Sequence, residues 1–223
     1  MTKENILIID YGSGNLRSAA KSFEHAGKNE THSINVIVSN KPEDVIKADR
    51  IVLPGQGAFK DCKNNLESLD GMIDALEEAV LKKAKPFLGI CVGMQLMASR
   101  GMEHGVTAGL GWIEGEVIPI KPEDPTLKIP HMGWNELHYL SANHAQDNHH
   151  FVLRSTESSK NFYFVHSFMF QCTYNYHCLA MTDYGGMIPA VVGRDNMIGM
   201  QFHPEKSADA GLELLSNFLN WKP

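Results

Sequence analysis

Four short apolar runs punctuate the first ninety residues: "NILIIDY" (5–11), "INVIVSN" (34–40), "ADRIVLPG" (48–55) and "KPFLGI" (85–90). Each is long enough for a strand and too short for a core helix, and the apolar residues come in succession instead of alternating. That is the pattern of strands covered on both faces, which occurs in parallel sheets. The intervening segments have helical spacing. Leu16, Ala19, Ala20 and Phe23 line one face of a helix that closes on Gly27 as its C-cap. "KPEDVIKA" reads as a short helix or turn. A longer helix is predicted over Cys62 to Lys83, with Leu66, Met72, Leu76 and Val80 on one side, and "VGMQLMASRG" as another, ended by Gly101. Strand–helix alternation of this kind predicts an α/β chain with a doubly wound, mostly parallel sheet.

The second half changes character. "GEVIPI", "IPHMGWNELHYL", "NFYFVHSFMFQC", "HCLAMTDY", "IPAVVGRD" and "MIGMQFH" are short β-rich pieces divided by turn residues such as Asp195–Asn196. They predict an antiparallel extension of the same sheet. "SADAGLELLSNFLNW" then forms a closing helix, with Ser207 as N-cap and Leu212, Leu215 and Leu219 inward. "SANHAQDNHH" (141–150) reads as a polar loop whose adjacent His149 and His150 are solvated rather than metal ligands. With no repeat or low-complexity tract, residues 1–223 are expected to form a single domain.

Bulk properties exclude several function classes. A net charge of −6 without any basic run argues against nucleic-acid binding. No apolar run is long enough to span a bilayer, and the one before Asp10 is too short for a signal peptide. Cys62, Cys91, Cys172 and Cys178 are scattered, without CxxC pairing or zinc-ligand spacing. Reduced thiols in a cytoplasm, with no metal and no cofactor, are the expectation.

Chemistry concentrates at Gly89-Ile90-Cys91-Val92-Gly93, a G-x-C-x-G sequence at a predicted strand-to-helix turn. This is the thiol form of the nucleophile elbow, in which a strained backbone lifts the reactive side chain out of the sheet. Flanking glycines allow the close approach such a turn demands, and the following helix start would favour the thiolate. A buried structural cysteine between two packing glycines is the alternative. "MQFHPEK" places His203 and Glu205 two residues apart around Pro204, on one face of an extended chain. The carboxylate could then orient the imidazole as the third member of a Cys–His–Glu triad; a surface turn is the alternative. "VLPGQGAF" puts Gly55-Gln56-Gly57 directly after a predicted strand, where its backbone N–H groups, with that of Val92, could form an oxyanion hole. A plain glycine turn would look the same.

Taken together, "IDYGSGNLRS", "LPGQGAF", "LGICVGMQLM", "IPHMGWNEL", "FYFVHSF" and "QFHPEKS" resemble the class I, triad-type glutamine amidotransferases over essentially the whole chain. Within that class the resemblance is to the glutaminase subunits of imidazole glycerol phosphate synthase. It implies a flavodoxin-like fold and attack by Cys91 on the side-chain amide of glutamine, with His203 as base and acid and Glu205 orienting it. Gln56 or Gly57 would supply an oxyanion donor after a peptide rearrangement. It also implies that Gly55, Gly57, Gln95, His166, Ser167 and Phe168 hold glutamine. Ammonia would pass to a (β/α)8-barrel cyclase partner, docked near Trp134, Asn135 and Asn15, that forms imidazole glycerol phosphate and an aminoimidazole carboxamide ribotide. For Trp134 a core position is the alternative, and for Asn15 and Tyr11 a structural turn. Similar glutaminase subunits that supply ammonia for amidating surface-polysaccharide sugars are a second implied function. The chain departs from the family pattern with Gln56 in place of a small aliphatic residue and Phe168 in place of tyrosine. Val92 stands for the commoner leucine and Ala208 for serine.

Overall fold

The structure is a computed structural model that describes residues 3–30, 33–140, 150–154 and 160–223. In chain order the elements are β1 (Glu4–Ile9), α1 (Leu16–Ala26), β2 (Ile34–Ser39), α2 (Pro42–Lys47), β3 (Arg50–Gly55), α3 (Phe59–Glu67), α4 (Met72–Leu76), β4 (Phe87–Cys91) and α5 (Val92–Gln95). The shorter strands follow: β5 (Ala98–Gly101), β6 (Thr107–Ala108), β7 (Ile113–Pro119), β8 (His131–Glu136), β9 (His138–Tyr139), β10 (Asn161–His166), β11 (Phe168–Cys172), β12 (Cys178–Asp183), β13 (Met187–Arg194) and β14 (Met197–Met200). Helix α6 (Ala208–Asn220) closes the chain.

Among the described residues the main sheet runs β2-β1-β3-β4-β14-β13-β12-β9. Its first five strands are mutually parallel, and β13, β12 and β9 extend it antiparallel. Ile6, Leu7, Ile8 and Ile9 are all fully buried, so both faces of β1 are covered, as its unbroken apolar run requires. The chain leaves β1 in one direction to β2 and leaves β3 in the other to β4. Right-handed crossovers therefore put α1 and the α3–α4 pair on opposite faces. Helix α6 joins α1, where Phe23 and Phe218 meet edge-on at 6.2 Å. Arg50, buried at the start of β3, donates to the carbonyls of Phe218 and Trp221 and so ties β3 to the end of α6.

The antiparallel part is more divided than the sequence suggests. Strands β11, β7, β5 and β6 form a separate sheet, and β8 and β10 a two-stranded ribbon. The run "NFYFVHSFMFQC" is split at Ser167: β10 pairs with β8, and β11 pairs with β7. The predicted helix over Cys62–Lys83 is also broken. Gly71 takes a left-handed φ of 73°, which interrupts α3 from α4, and α4 widens into a π-helical stretch over Glu77–Lys82. Leu66, Met72, Leu76 and Val80 are nevertheless all buried. "VGMQLMASRG" yields one helical turn, because the carbonyls of Leu96 and Met97 are taken by the N–H groups of Leu110, Trp112 and Ile113, and Ala98–Gly101 becomes β5.

Gly27 is the C-cap of α1, as expected, with a right-handed φ of −69°, and the chain continues into a 3-10 turn. Three smaller expectations need correction. Ser207 precedes α6 without capping it; its hydroxyl donates to the His203 carbonyl at 2.6 Å and accepts from Tyr163 N–H at 3.0 Å. In α6 itself Leu214, Leu215, Phe218 and Leu219 are buried, whereas Leu212 is half-buried. Residues 141–149 of the predicted polar loop, His149 included, lie outside the described residues. His150 is not a solvated side chain: its Nδ1 accepts from Val152 N–H, its ring packs 4.7 Å from Trp221, and burial lowers its pKa to about 4. No helix among the described residues is long and apolar enough to cross a membrane.

Candidate active site

The loops after β1, β3, β4 and β14 converge at the carboxyl ends of the parallel strands, where the strand order reverses between β1 and β3. Open α/β sheets place their ligand crevices at such a switch point. Cys91 is the last residue of β4 and precedes α5 with φ 55° and ψ −113°, a conformation costly for any non-glycine residue. The flanking glycines are sterically enforced. A Cβ on Gly93 would lie 1.8 Å from the Leu53 carbonyl oxygen, and one on Gly89 would lie 2.7 Å from the Gly93 carbonyl oxygen. Sheet register brings Cys91 beside Gly55, and a Cβ there would meet Gly93 N at 2.6 Å. Gly55 is thus a packing residue beneath the elbow and does not line the cleft. Helix α5 spans a single turn, so its dipole is a weaker aid to a thiolate than the sequence suggests.

A cleft of about 350 Å³ opens over Cys91, lined among others by Gln56, Gly57, Val92, Gln95, Ser167 and His203. His166 and Phe168 also face it. A larger cavity, about 720 Å³ and lined by Tyr174, Tyr176 and His177, shares no lining residue with it and contains no cysteine. The smaller one is the cavity that Cys91 and His203 face together.

Strand β14 ends at Met200, three residues before His203. His203 N–H donates to the Tyr163 carbonyl at 2.9 Å, so the chain crosses here from the main sheet to β10. His203 keeps the extended backbone predicted for a residue before proline (φ −100°, ψ 97°), but Pro204–Lys206 form a 3-10 turn instead of continuing the strand. The turn delivers the same contact: His203 Nδ1 lies 2.8 Å from Glu205 Oε1, with both side chains at most 5% exposed. Burial alone would lower the His203 pKa. Hydrogen bonds and charge from the Cys91 sulfur and the Glu205 carboxylate outweigh it and raise the pKa to about 9. A thiol, an imidazole that holds its proton and a buried carboxylate are the parts of an acyl-transfer site.

The oxyanion loop is held away from that role. Gln56 N–H donates to Ser13 Oγ at 3.0 Å, and Ser13 Oγ donates to the Gln56 carbonyl at 2.7 Å. Cys62 Sγ lies 3.2 Å from the same hydroxyl. The Gln56 amide predicted as an oxyanion donor is therefore engaged elsewhere in this conformation. Gly57, at φ 93°, has open space where a side chain would be. Val92 N–H opens α5, where no intrahelical acceptor exists for it.

The residue-motif family "Glutamine amidotransferase class-I" matches residues 7–221. The chain belongs to the class I glutamine amidotransferases. Among relatives of this amidotransferase, the protein named imidazole glycerol phosphate synthase subunit HisH from Cereibacter sphaeroides is 54% identical over 217 residues, covering 97% of this chain and 99% of that one. Proteins of the same name from Agrobacterium fabrum (53%, covering 98% and 99%) and Rhodopseudomonas palustris (52%, covering 98% and 100%) are similarly close. Solved structures share the fold at low identity. A glutamine amidotransferase crystal structure superposes with a TM-score of 0.68 at 16% identity, covering 95% of this chain and 98% of the other. A glutamine amidotransferase from Thermotoga maritima does so at 0.65 and 16%, covering 99% and 98%.

Other site residues of the amidotransferase are placed as follows. Gln95 Nε2 donates to the Phe168 carbonyl at 3.2 Å and to Gln201 Oε1 at 3.0 Å. With both hydrogens used, Gln95 has only its carbonyl oxygen left for a ligand, which must then bring a donor. The Phe168 carbonyl accepts from His166 Nδ1 at 2.9 Å, which leaves His166 Nε2 to accept from His131 Nδ1 at 2.9 Å. Burial keeps both rings neutral, with pKa values of about 3 for His166 and about 4 for His131. His131 Nε2 in turn accepts from the Asn135 amide at 3.3 Å, and that amide also donates to the Asp183 carbonyl at 2.8 Å. The Asn135 side chain is thus engaged within the chain, although Trp134 beside it is 55% exposed and is no core residue. Asn15 caps α1 through Ser18 N–H and Tyr11 donates to the Pro54 carbonyl at 2.7 Å, the structural turn roles weighed for them.

Sequence reasoning missed Ser13, His131 and Gln201. For Gln201 a signal existed: it stands two residues before His203, in the same alternation that singled out Glu205.

Proposed function

We propose that residues 1–223 work as one glutaminase unit that hydrolyses glutamine to glutamate and ammonia and hands the ammonia to a cyclase subunit of imidazole glycerol phosphate synthase. The observation that carries this reading is the buried Cys91–His203–Glu205 arrangement on a strained elbow. The names of relatives at 52–54% identity favour the histidine-pathway partner over a sugar-amidating one.

In this reading His203 already holds the proton given up by Cys91, and the Cys91 thiolate attacks the side-chain carbonyl carbon of glutamine. The negative charge moves to the carbonyl oxygen, toward the N–H groups of Val92 and of the Gln56–Gly57 loop once that loop is released from Ser13. As the carbon–nitrogen bond breaks, His203 returns its proton to the departing nitrogen, and a γ-glutamyl thioester and ammonia result. Water, deprotonated by His203, attacks the thioester carbon; glutamate leaves and the thiol is restored. Glu205 holds the imidazole in one orientation throughout. Gly57, Gln95, Ser167 and the backbone around His166 and Phe168 hold the substrate, and the exposed Trp134 docks a (β/α)8-barrel partner. Four free cysteines suit a reducing cytoplasm.

The test is glutamate production by the chain with and without the candidate cyclase and its nucleotide substrate, for the wild type and Cys91→Ala. The substitution should cost roughly 10⁴-fold or more in turnover while the two chains still co-elute. Turnover retained by pure Cys91→Ala would refute the nucleophile. An active glutaminase that no cyclase stimulates would refute the partner.

A further inference from the structure

Gln201 is completely buried, and its carboxamide reaches the nucleophile: Nε2 donates to Cys91 Sγ at 3.8 Å. The orientation of that amide is fixed by its neighbour. Gln95 Nε2 donates to Gln201 Oε1 at 3.0 Å, so the oxygen end faces Gln95 and the nitrogen end must face the sulfur. The flipped amide would set two nitrogen donors against each other and an oxygen lone pair against the thiolate. Gln95 is anchored in turn by the Phe168 carbonyl, and the Gln201 backbone N–H is held by the Ala190 carbonyl at 2.9 Å. A buried side chain locked at both ends and aimed at the reactive atom does more than fill space. An apolar residue would pack there without the cost of desolvating an amide.

We propose that Gln201 is a further catalytic residue that donates an N–H to the Cys91 thiolate, holding the charged sulfur ready for attack, with Gln95 setting the direction of that donor. The inference rests on the reading of Cys91 as nucleophile and extends it. His203 takes the thiol proton, and Gln201 then offsets the charge left on sulfur from a second side without itself gaining or losing a proton. Because Gln95 lines the cleft, a ligand that moves Gln95 would change the donor's aim, which links occupancy of the pocket to readiness of the thiolate.

The experiment is the pH dependence of Cys91 alkylation by iodoacetamide in the full chain, read peptide by peptide by mass spectrometry, for the wild type, Gln201→Leu and Gln201→Met. Folding is checked by circular dichroism. The variants should alkylate about three- to tenfold more slowly at pH 7, with the midpoint of the profile moved to higher pH. A purely structural role would lower the melting temperature and leave that midpoint in place, and this result in a folded variant would overturn the proposal. A measurement that needs no Gln201 variant accompanies it: the Gln201 side-chain amide resonances should shift between wild type and Cys91→Ala, and unchanged resonances would equally overturn it. If wild-type Cys91 reacts no faster than Cys62, Cys172 and Cys178, the nucleophile reading itself fails, an outcome distinct from either of these.

Discussion

Ser13 and Gln56 are bound to each other twice, through the Gln56 N–H and through the Gln56 carbonyl, 3.0 Å and 2.7 Å from one hydroxyl. Those two groups belong to the peptide units on either side of the Gln56 Cα. One serine thereby pins the loop from which an oxyanion donor is proposed.

Removing that hydroxyl should release the loop. Each neutral hydrogen bond is worth about 1 kcal/mol net, or roughly fivefold in an equilibrium. Losing both bonds, Ser13→Ala is expected to raise glutamine turnover by the lone chain up to about 25-fold and to shrink the stimulation a partner provides. A coupled glutamate dehydrogenase assay on the isolated chain checks it, and unchanged basal turnover would mean the hydroxyl does not hold the loop.

The His203–Glu205 pair makes a pH prediction with a definite sign. The folded-state pKa of about 9 lies above the unfolded value of about 6.5. Its contribution to stability is therefore complete below about pH 6.5 and is lost as pH rises through about 9. Glu205→Gln should move the His203 midpoint back toward the ordinary histidine range and flatten the alkaline fall in melting temperature. Proton NMR of the imidazole Cε1–H, together with melts at pH 6 and pH 10, reports both. A midpoint that stays near 9 in the variant would show that Glu205 does not sustain the charge.

Gly93→Ala should be far more damaging than an ordinary glycine substitution. Its methyl group would fall 1.8 Å from the Leu53 carbonyl oxygen, a backbone atom that cannot swing aside. A loss of about 3 kcal/mol or more is expected, visible as a reduced midpoint in urea. A stability change under about 0.5 kcal/mol would mean the elbow can open without penalty.

Trp134→Ala tests the docking surface apart from the chemistry. The side chain is 55% exposed and touches Tyr163 edge-on at 6.0 Å. Removing it should barely alter the melting temperature of the lone chain. It should weaken cyclase binding by roughly 2 kcal/mol, about thirtyfold in Kd. Titration calorimetry separates the two effects, and unchanged affinity would move the interface elsewhere.

The sequence made the parallel half of the fold legible because doubly buried strands leave unbroken apolar runs, and β1 to β4 fall within two residues of where those runs lie. It could not reveal the breaks that tertiary contacts impose. Helical spacing survives across Gly71, so Cys62–Lys83 reads as one helix. Nothing local in "LMASRG" announces that the carbonyls of Leu96 and Met97 will pair with the chain fifteen residues on. Ser167 divides two strands between two sheets, although the run around it is evenly apolar. At the site, the cysteine elbow and the His-Pro-Glu turn were readable because each is a local motif. Ser13 and His131 act through partners 43 and 35 residues away, pairings that leave no trace in spacing; for Gln201 the alternation with His203 placed it on the same face, but not its reach to a sulfur 110 residues away.

The neutral pair His166 and His131 carries a consequence for how the cleft meets acid. Neither ring gains a proton until the medium is near pH 4, so His166, which lines the cleft with His131 behind it, presents the same face in mildly acid and mildly basic surroundings alike. Sensitivity to acidity is thereby assigned to the imidazole across the cleft, and the grip on a guest is insulated from the swing in proton supply that drives its conversion.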